Sequence, residues 1–157
     1  MVFVVDIERR PLSPCQPARA RRLLTEDKAA VWRRFPFTSI LKRAVPHAQP
    51  DPLRVKRDPG SKTTGLALVN DRTGQVAWAG EIQHRGQRIR DALLARRAIR
   101  RGRRQRHTRY RPACFDNRRR PDGWLPPSLE SRVSNVLTWI AGLRRYAPVA
   151  AISQELV

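Results

Sequence analysis

The sequence predicts an α/β protein. A small α+β module precedes a three-strand meander, one long arginine-rich helix, and a closing helix and strand. Three observations carry this reading. Short apolar, β-branched runs alternate with clusters of Gly, Pro, Asn and Asp. Residues 85–111 hold 12 arginines and one acid, Asp91, with Ile89, Leu93 and Leu94 near helical spacing. Val133, Val136, Leu137, Ile140 and Leu143 repeat as one face of a second helix.

Taken in order, residues 2–5 (V-F-V-V) read as a short strand that Asp6 ends. Residues 11–17 (P-L-S-P-C-Q-P) are expected to form a rigid turn segment, since proline fixes φ and removes a donor. Residues 18–30 suit a helix, alanine-rich with Leu23 and Leu24 on one side. Residues 31–41 are apolar, aromatic and β-branched, which predicts one or two strands broken near Pro36. Residues 46–52 (P-H-A-Q-P-D-P) read as a linker, which sets a first module at residues 1–50.

Residues 51–84 form the next unit. Residues 53–57 lead into D-P-G-S-K-T-T-G at 58–65; strands follow at 66–69 and 75–83, with N-D-R-T-G as the turn between them. Residues 85–120 then carry the arginine-rich segment. A 26-residue helix there would be ~39 Å long. From Arg100 onward it is basic on every face, and such a helix is not held by packing, so its distal half is expected to order on bound phosphate. Residues 121–157 close the chain. Ser128 is the expected N-cap, Pro148 the stop, and residues 149–157 a buried strand carrying Glu155.

Composition bounds the function. Net charge is +20 over 157 residues, with a sequence pI near 11.8. Such a surplus speaks of polyanionic partners rather than of fold. Guanidinium groups match phosphate bidentately, which makes nucleic acid the first candidate. Cys15 and Cys114 form no C-x-x-C, which argues against a zinc finger or a disulfide scaffold and for idle thiols. No signal peptide or membrane-length apolar stretch is present, so the expected location is the cytoplasm.

Two acids stand out. Asp58 sits where a strand meets a glycine turn, and Glu155 sits in an apolar strand. Carboxylates in apolar strands are costly unless protonated, paired or metal-bound, and paired carboxylates suit Mg²⁺. The plainer readings are a D-P-G turn residue and a frayed terminal residue. The G-x-x-x-x-G-K-[ST] phosphate loop is absent despite Gly60, Lys62 and Gly65. His47, His84 and His107 show no ligand spacing and are expected to face solvent, or in the case of His107 a phosphate. Trp32, Phe35 and Phe37 are either core aromatics or base-stacking platforms.

The order of these pieces resembles the N-terminal part of IscB, the transposon-encoded RNA-guided DNA nucleases related to CRISPR type II effectors. M-V-F-V-V-D with P-L-S-P-C-Q-P-A-R-A-R-R-L-L, continued by V-W-R-R-F-P-F-T-S-I-L-K, is similar to that family's small opening domain, named for Pro-Leu-Met-Pro; Ser13 replaces the methionine. D-P-G-S-K-T-T-G-L-A-L-V resembles the first RuvC motif, R-R-A-I-R-R-G-R-R-Q-R-H-T-R-Y-R the bridge helix, and G-W-L-P-P-S-L-E-S-R-V with I-S-Q-E-L-V the approach to the second RuvC motif. Residues 100–104 (R-R-G-R-R) spell the R-R-x-R-R signature. Arg57 departs from the pattern, standing where the family's strand is usually apolar.

The resemblance implies a partial RNase H-like (RuvC-type) sheet crossed by the basic helix. It implies Asp58 and Glu155 as catalytic Mg²⁺ (or Mn²⁺) ligands. It implies guide RNA and target DNA as partners of a monomeric protein in a ribonucleoprotein, with Arg96, Arg97, Arg100, Arg101, Arg103, Arg104, Arg106, Arg109 and Arg111 on nucleic acid. Base pairing, not the protein, would read the target. The sequence stops two residues after Glu155, short of an HNH domain and a third RuvC motif. The expectation is therefore a fragment that binds RNA and contributes part of a nuclease site; a non-catalytic RNA-binding module is the alternative. A ribosomal-type RNA-binding protein matches the composition but not the motif order.

Overall fold

The computed structural model describes residues 1–106 and 119–155. It is mixed α/β, with two four-stranded mixed sheets and three helices among the described residues. The first sheet holds β1 (Val2–Val5), β2 (Pro11–Cys15), β3 (Ala29–Arg33) and β4 (Thr38–Leu41) in the order β2-β1-β4-β3. Helix α1 (Pro17–Thr25) lies between β2 and β3 in sequence. All four residues of β1 are buried, which is why an unbroken apolar run suits it. Asp6 is also buried; its Oδ1 accepts the Arg10 amide at 2.8 Å and closes the loop into β2.

Two expectations are corrected here. Residues 11–15 are a strand, not a turn segment. Two prolines are tolerated because β2 lies at the sheet edge, where missing donors break no second ladder. The helix expected over residues 18–30 stops at Thr25. Asp27 adopts a left-handed φ of 55°, while the Lys28 amide donates to the Leu23 carbonyl at 2.9 Å and the Asp27 amide to Leu24 at 3.2 Å. This is a Schellman ending with aspartate in the position glycine usually takes. It frees Ala29 to pair with Leu41 in β3–β4.

The second sheet holds β5 (Leu53–Pro59), β6 (Thr63–Asn70), β7 (Val76–Gln83) and β8 (Val149–Gln154) in the order β7-β6-β5-β8. The meander is antiparallel, and β8 returns parallel to β5. Gly60 makes the β5–β6 turn possible, since a β-carbon there would collide with the Thr63 carbonyl oxygen. Val55, Leu66 and Leu68 face inward against Val136, Leu143 and Tyr146 of the closing helical segment, and Phe3 of the first sheet joins this core.

Helices α2 (Gly86–Gln105) and α3 (Pro127–Arg144) connect β7 to β8. Of α2 only Gly86 is buried; Leu93, Leu94 and Ile99 are exposed. The described helix is 20 residues long, with Arg85 and Arg106 as its caps; residues 107–111 of the predicted segment fall outside the described residues. Helix α3 is not capped by Ser128: Pro126 is the N-cap and Pro127 opens the first turn, where its fixed φ and missing N–H cost nothing. Its predicted apolar face is only partly used, since Val136 and Leu143 are buried while Val133 and Leu137 are exposed. Strand β8 is not buried either; its residues alternate half-buried and exposed, because it is a sheet edge. No described helix is long and apolar enough to cross a membrane.

Candidate nucleic-acid and metal site

The outer face of the second sheet gathers carboxylates in one row. Asp58 pairs with Gly65, and Gly65 with Glu81. On the other side Arg57 pairs with Gln154, and the Glu155 amide donates to the Arg57 carbonyl at 3.0 Å. Strand alternation sends Asp58 to the face opposite Val55. A concavity of about 730 Å³ forms there, lined by Lys56, Asp58, Gly65, Glu81, Ser153 and Glu155 among others. Gly65 lies beside Asp58, where an added β-carbon would make ordinary van der Waals contact with the Asp58 β-carbon at 3.5 Å.

Asp58, within β5, and Glu155 both line this concavity, and both are exposed. Exposure spares both carboxylates the burial cost expected in apolar strands; Glu155 lies just past the end of β8. Glu81 was missed. Its alternation in β7 is visible in sequence, but its place opposite Gly65 depends on cross-strand register. Two strand spacings, about 9.5 Å of backbone, separate Glu81 from Asp58.

The donor chemistry fits a hard cation. Mg²⁺ is commonly held by one or two carboxylates, with waters and phosphate oxygens completing the shell. Asp58 and Glu155 fit that share of a site. Among the described residues no group of three or more His, Cys, Asp and Glu is arranged to hold a metal.

The inner face of the same strand end is cationic. Arg57 points inward, as its alternation with Leu53 and Val55 predicts. His84, expected to face solvent, is instead half-buried, because its Nε2 lies 2.7 Å from Thr64 Oγ1; Arg132 donates to the Ser61 carbonyl at 3.0 Å. Arg57 Nε, His84 Nδ1 and Arg132 Nε are buried, with no hydrogen-bond partner among the described residues. Burial first, then the Arg132 and Arg57 guanidiniums, push the His84 pKa below its ordinary value. Burial pushes the Cys15 thiol up, with Arg19 pulling the other way, so it is no poised thiolate.

Helix α2 carries the predicted arginines. Arg96, Arg97, Arg100, Arg101, Arg103, Arg104 and Arg106 are all exposed. At 3.6 residues per turn they cover more than half the helix circumference. Asp91, the one acid on this helix, accepts from Gln87 instead. None of the ion pairs among the described residues involves Arg96, Arg97, Arg100, Arg101, Arg103 or Arg106. Arg109, Arg111, His107 and Cys114 lie outside the described residues.

The pattern of a family described as RRXRR protein matches residues 2–157. The chain belongs to the RRXRR protein family. In this RRXRR protein the R-R-G-R-R run lies in the last turns of α2, on exposed helix. No curated protein matches the chain.

Proposed function

We propose that this RRXRR protein is an IscB-like, RNA-guided DNA endonuclease component that binds guide RNA along α2 and supplies Asp58 and Glu155 to a Mg²⁺-dependent RuvC-type site. One observation carries the reading: a helix with eight arginines leaves the same sheet that presents Asp58 and Glu155 at adjacent strand ends. The β7-β6-β5-β8 order, an antiparallel meander with a parallel fourth strand beside its first, supports an RNase H-like sheet. Mg²⁺, when bound, would neutralise charge on a phosphodiester during hydrolysis. The chain's own residues would hold that ion and position the backbone through arginine, with little base readout.

Binding of a structured RNA transcript is expected to weaken steeply with salt. If about six phosphates are engaged, the log–log slope is about −4 to −5; a flat response overturns the arginine assignment. Saturable Mn²⁺ binding, read by paramagnetic relaxation, is expected to vanish in Asp58→Ala while RNA affinity persists. The non-catalytic RNA-binding module is the second reading, favoured by the lack of a third clustered ligand among the described residues. RNA binding without Asp58-dependent metal binding or cleavage would select it.

A further inference from the structure

Beyond α2 and the acidic row, the molecule has a second basic surface, built from aromatics. The connection between β3 and β4 carries Phe35, which is 67% exposed. Its ring meets Trp139 of α3 edge-on, with centroids 6.2 Å apart, and Trp139 stacks on Trp78 of β7 at 5.9 Å. Arg33 fixes this connection: its Nε donates to the Phe35 carbonyl at 2.8 Å, its Nη1 to the Tyr146 hydroxyl, and its guanidinium lies over the Tyr146 ring. Phe35 is therefore held out from the surface by a bonded neighbour.

A cleft of about 520 Å³ opens between Phe35 and the C-terminal part of α3, bounded by Arg33, Trp139, Arg145 and Tyr146 among others. A second hollow of about 460 Å³ shares Arg33, Arg145 and Tyr146 and adds Arg9, Trp32 and Arg144. No carboxylate lines either one. Arg144 and Arg145 are exposed, and no side-chain hydrogen bond or ion pair among the described residues occupies them. An apolar peptide would leave these arginines without counter-charge. A duplex offers phosphates, but its bases are stacked and cannot reach an aromatic ring. Unpaired nucleotides satisfy both halves of the surface, since every base has a face to stack and every linkage carries a charge.

We infer that this cleft binds unpaired nucleotides of a single-stranded nucleic acid, with a base against Phe35 and Trp139 and phosphates at Arg144 and Arg145. The inference rests on the nucleic-acid reading of the protein but concerns a surface separate from α2. It also assigns Phe35 to base stacking, while Trp32 packs edge-on to Tyr146 at 5.6 Å as a partly buried core aromatic.

The test uses the full chain with three fluorescent probes: a uridylate hexamer, a deoxythymidylate hexamer, and a blunt RNA duplex of equal charge. Phe35→Ala is expected to weaken hexamer binding about tenfold, at the low end for loss of one stacked base, and to leave duplex binding unchanged. Phe35→Trp is expected to restore hexamer affinity. Arg145→Gln should reduce the hexamer salt slope by about one. Preference for uridylate identifies RNA as the source of the strand, and preference for deoxythymidylate identifies DNA; either supports the site. Equal hexamer affinity in the native protein and Phe35→Ala overturns the inference. So does an equal loss on the duplex, or a Phe35-dependent rise in sedimentation mass with no effect on hexamer binding, which would mean the face takes a second copy. Duplex binding that survives any of these outcomes leaves the reading of α2 standing; failure of all three probes to bind the native protein overturns both. Because Phe35 is largely exposed, a thermal melt matching the native protein is expected for Phe35→Ala and separates folding from binding.

Discussion

Single residues with special backbone or electrostatic settings decide much here. Gly60 is one: an alanine would meet the Thr63 carbonyl oxygen. Gly60→Ala is expected to destabilise by about 2 kcal/mol, the range of overpacking, and to disturb the Asp58–Gly65 register. Urea unfolding and amide shifts in residues 58–65 check this. Asp27 is another. Its left-handed φ of 55° makes Asp27→Ala cost about 1 kcal/mol, whereas Asp27→Gly should be no less stable than the native chain. Comparing the two denaturation midpoints distinguishes backbone strain from loss of the exposed Asp27–Lys42 ion pair. His84 supplies a pH signal. Its folded pKa lies below the ordinary 6.5, so between those values the unfolded chain binds more protons. Stability therefore rises with pH across that window and is lost as pH falls through it from about 6.5. His84→Gln is expected to flatten that part of the pH–stability curve, measured as the urea midpoint.

At the scale of elements, α2 and α3 differ in what holds them. Helix α3 buries Val136 and Leu143 in the core, while α2 buries only Gly86 and crowds exposed arginines toward its C-terminal end. Like charges on neighbouring turns destabilise an isolated helix. Amide exchange in residues 96–105 is therefore expected to be fast in the protein alone and slowed by bound RNA, with residues 133–143 protected throughout. Equal protection of residues 96–105 with and without RNA would count against a phosphate-dependent helix. The strands differ in a similar way. Leu68 of β6 is fully buried beside both neighbours in the sheet, so Leu68→Ala is expected to cost about 2–5 kcal/mol. Ile152 of edge strand β8 is 51% exposed, and Ile152→Ala should cost far less. Chemical denaturation of the two variants makes the comparison.

For the whole molecule, two opposite charge patterns lie on one framework: an acidic row on the outer face of the second sheet, and arginines along α2 and around the Phe35 cleft. Much of this was legible beforehand. The meander, the arginine helix, the closing helix and the candidate acids Asp58 and Glu155 each rest on local pattern: alternation, helical spacing, turn residues and scarcity of acids. The ends of elements were less legible. The strand at Pro11–Cys15 depends on lying at a sheet edge, and the early stop of α1 depends on Asp27 taking a conformation usually left to glycine. The pairing of distant segments was not legible at all. Only the parallel docking of β8 on β5 sets Glu155 beside Asp58, and only register sets Glu81 across Gly65. Likewise, Phe35 and Trp139, over a hundred residues apart, meet because α3 packs over both sheets. The sequence by itself determined the charge surplus and the arginine-rich run that carries much of it, because charge and residue type need no fold to be counted. Tertiary structure alone decided which side chains share a site and which stay exposed, because those depend on long-range strand register and helix packing that local periodicity does not encode.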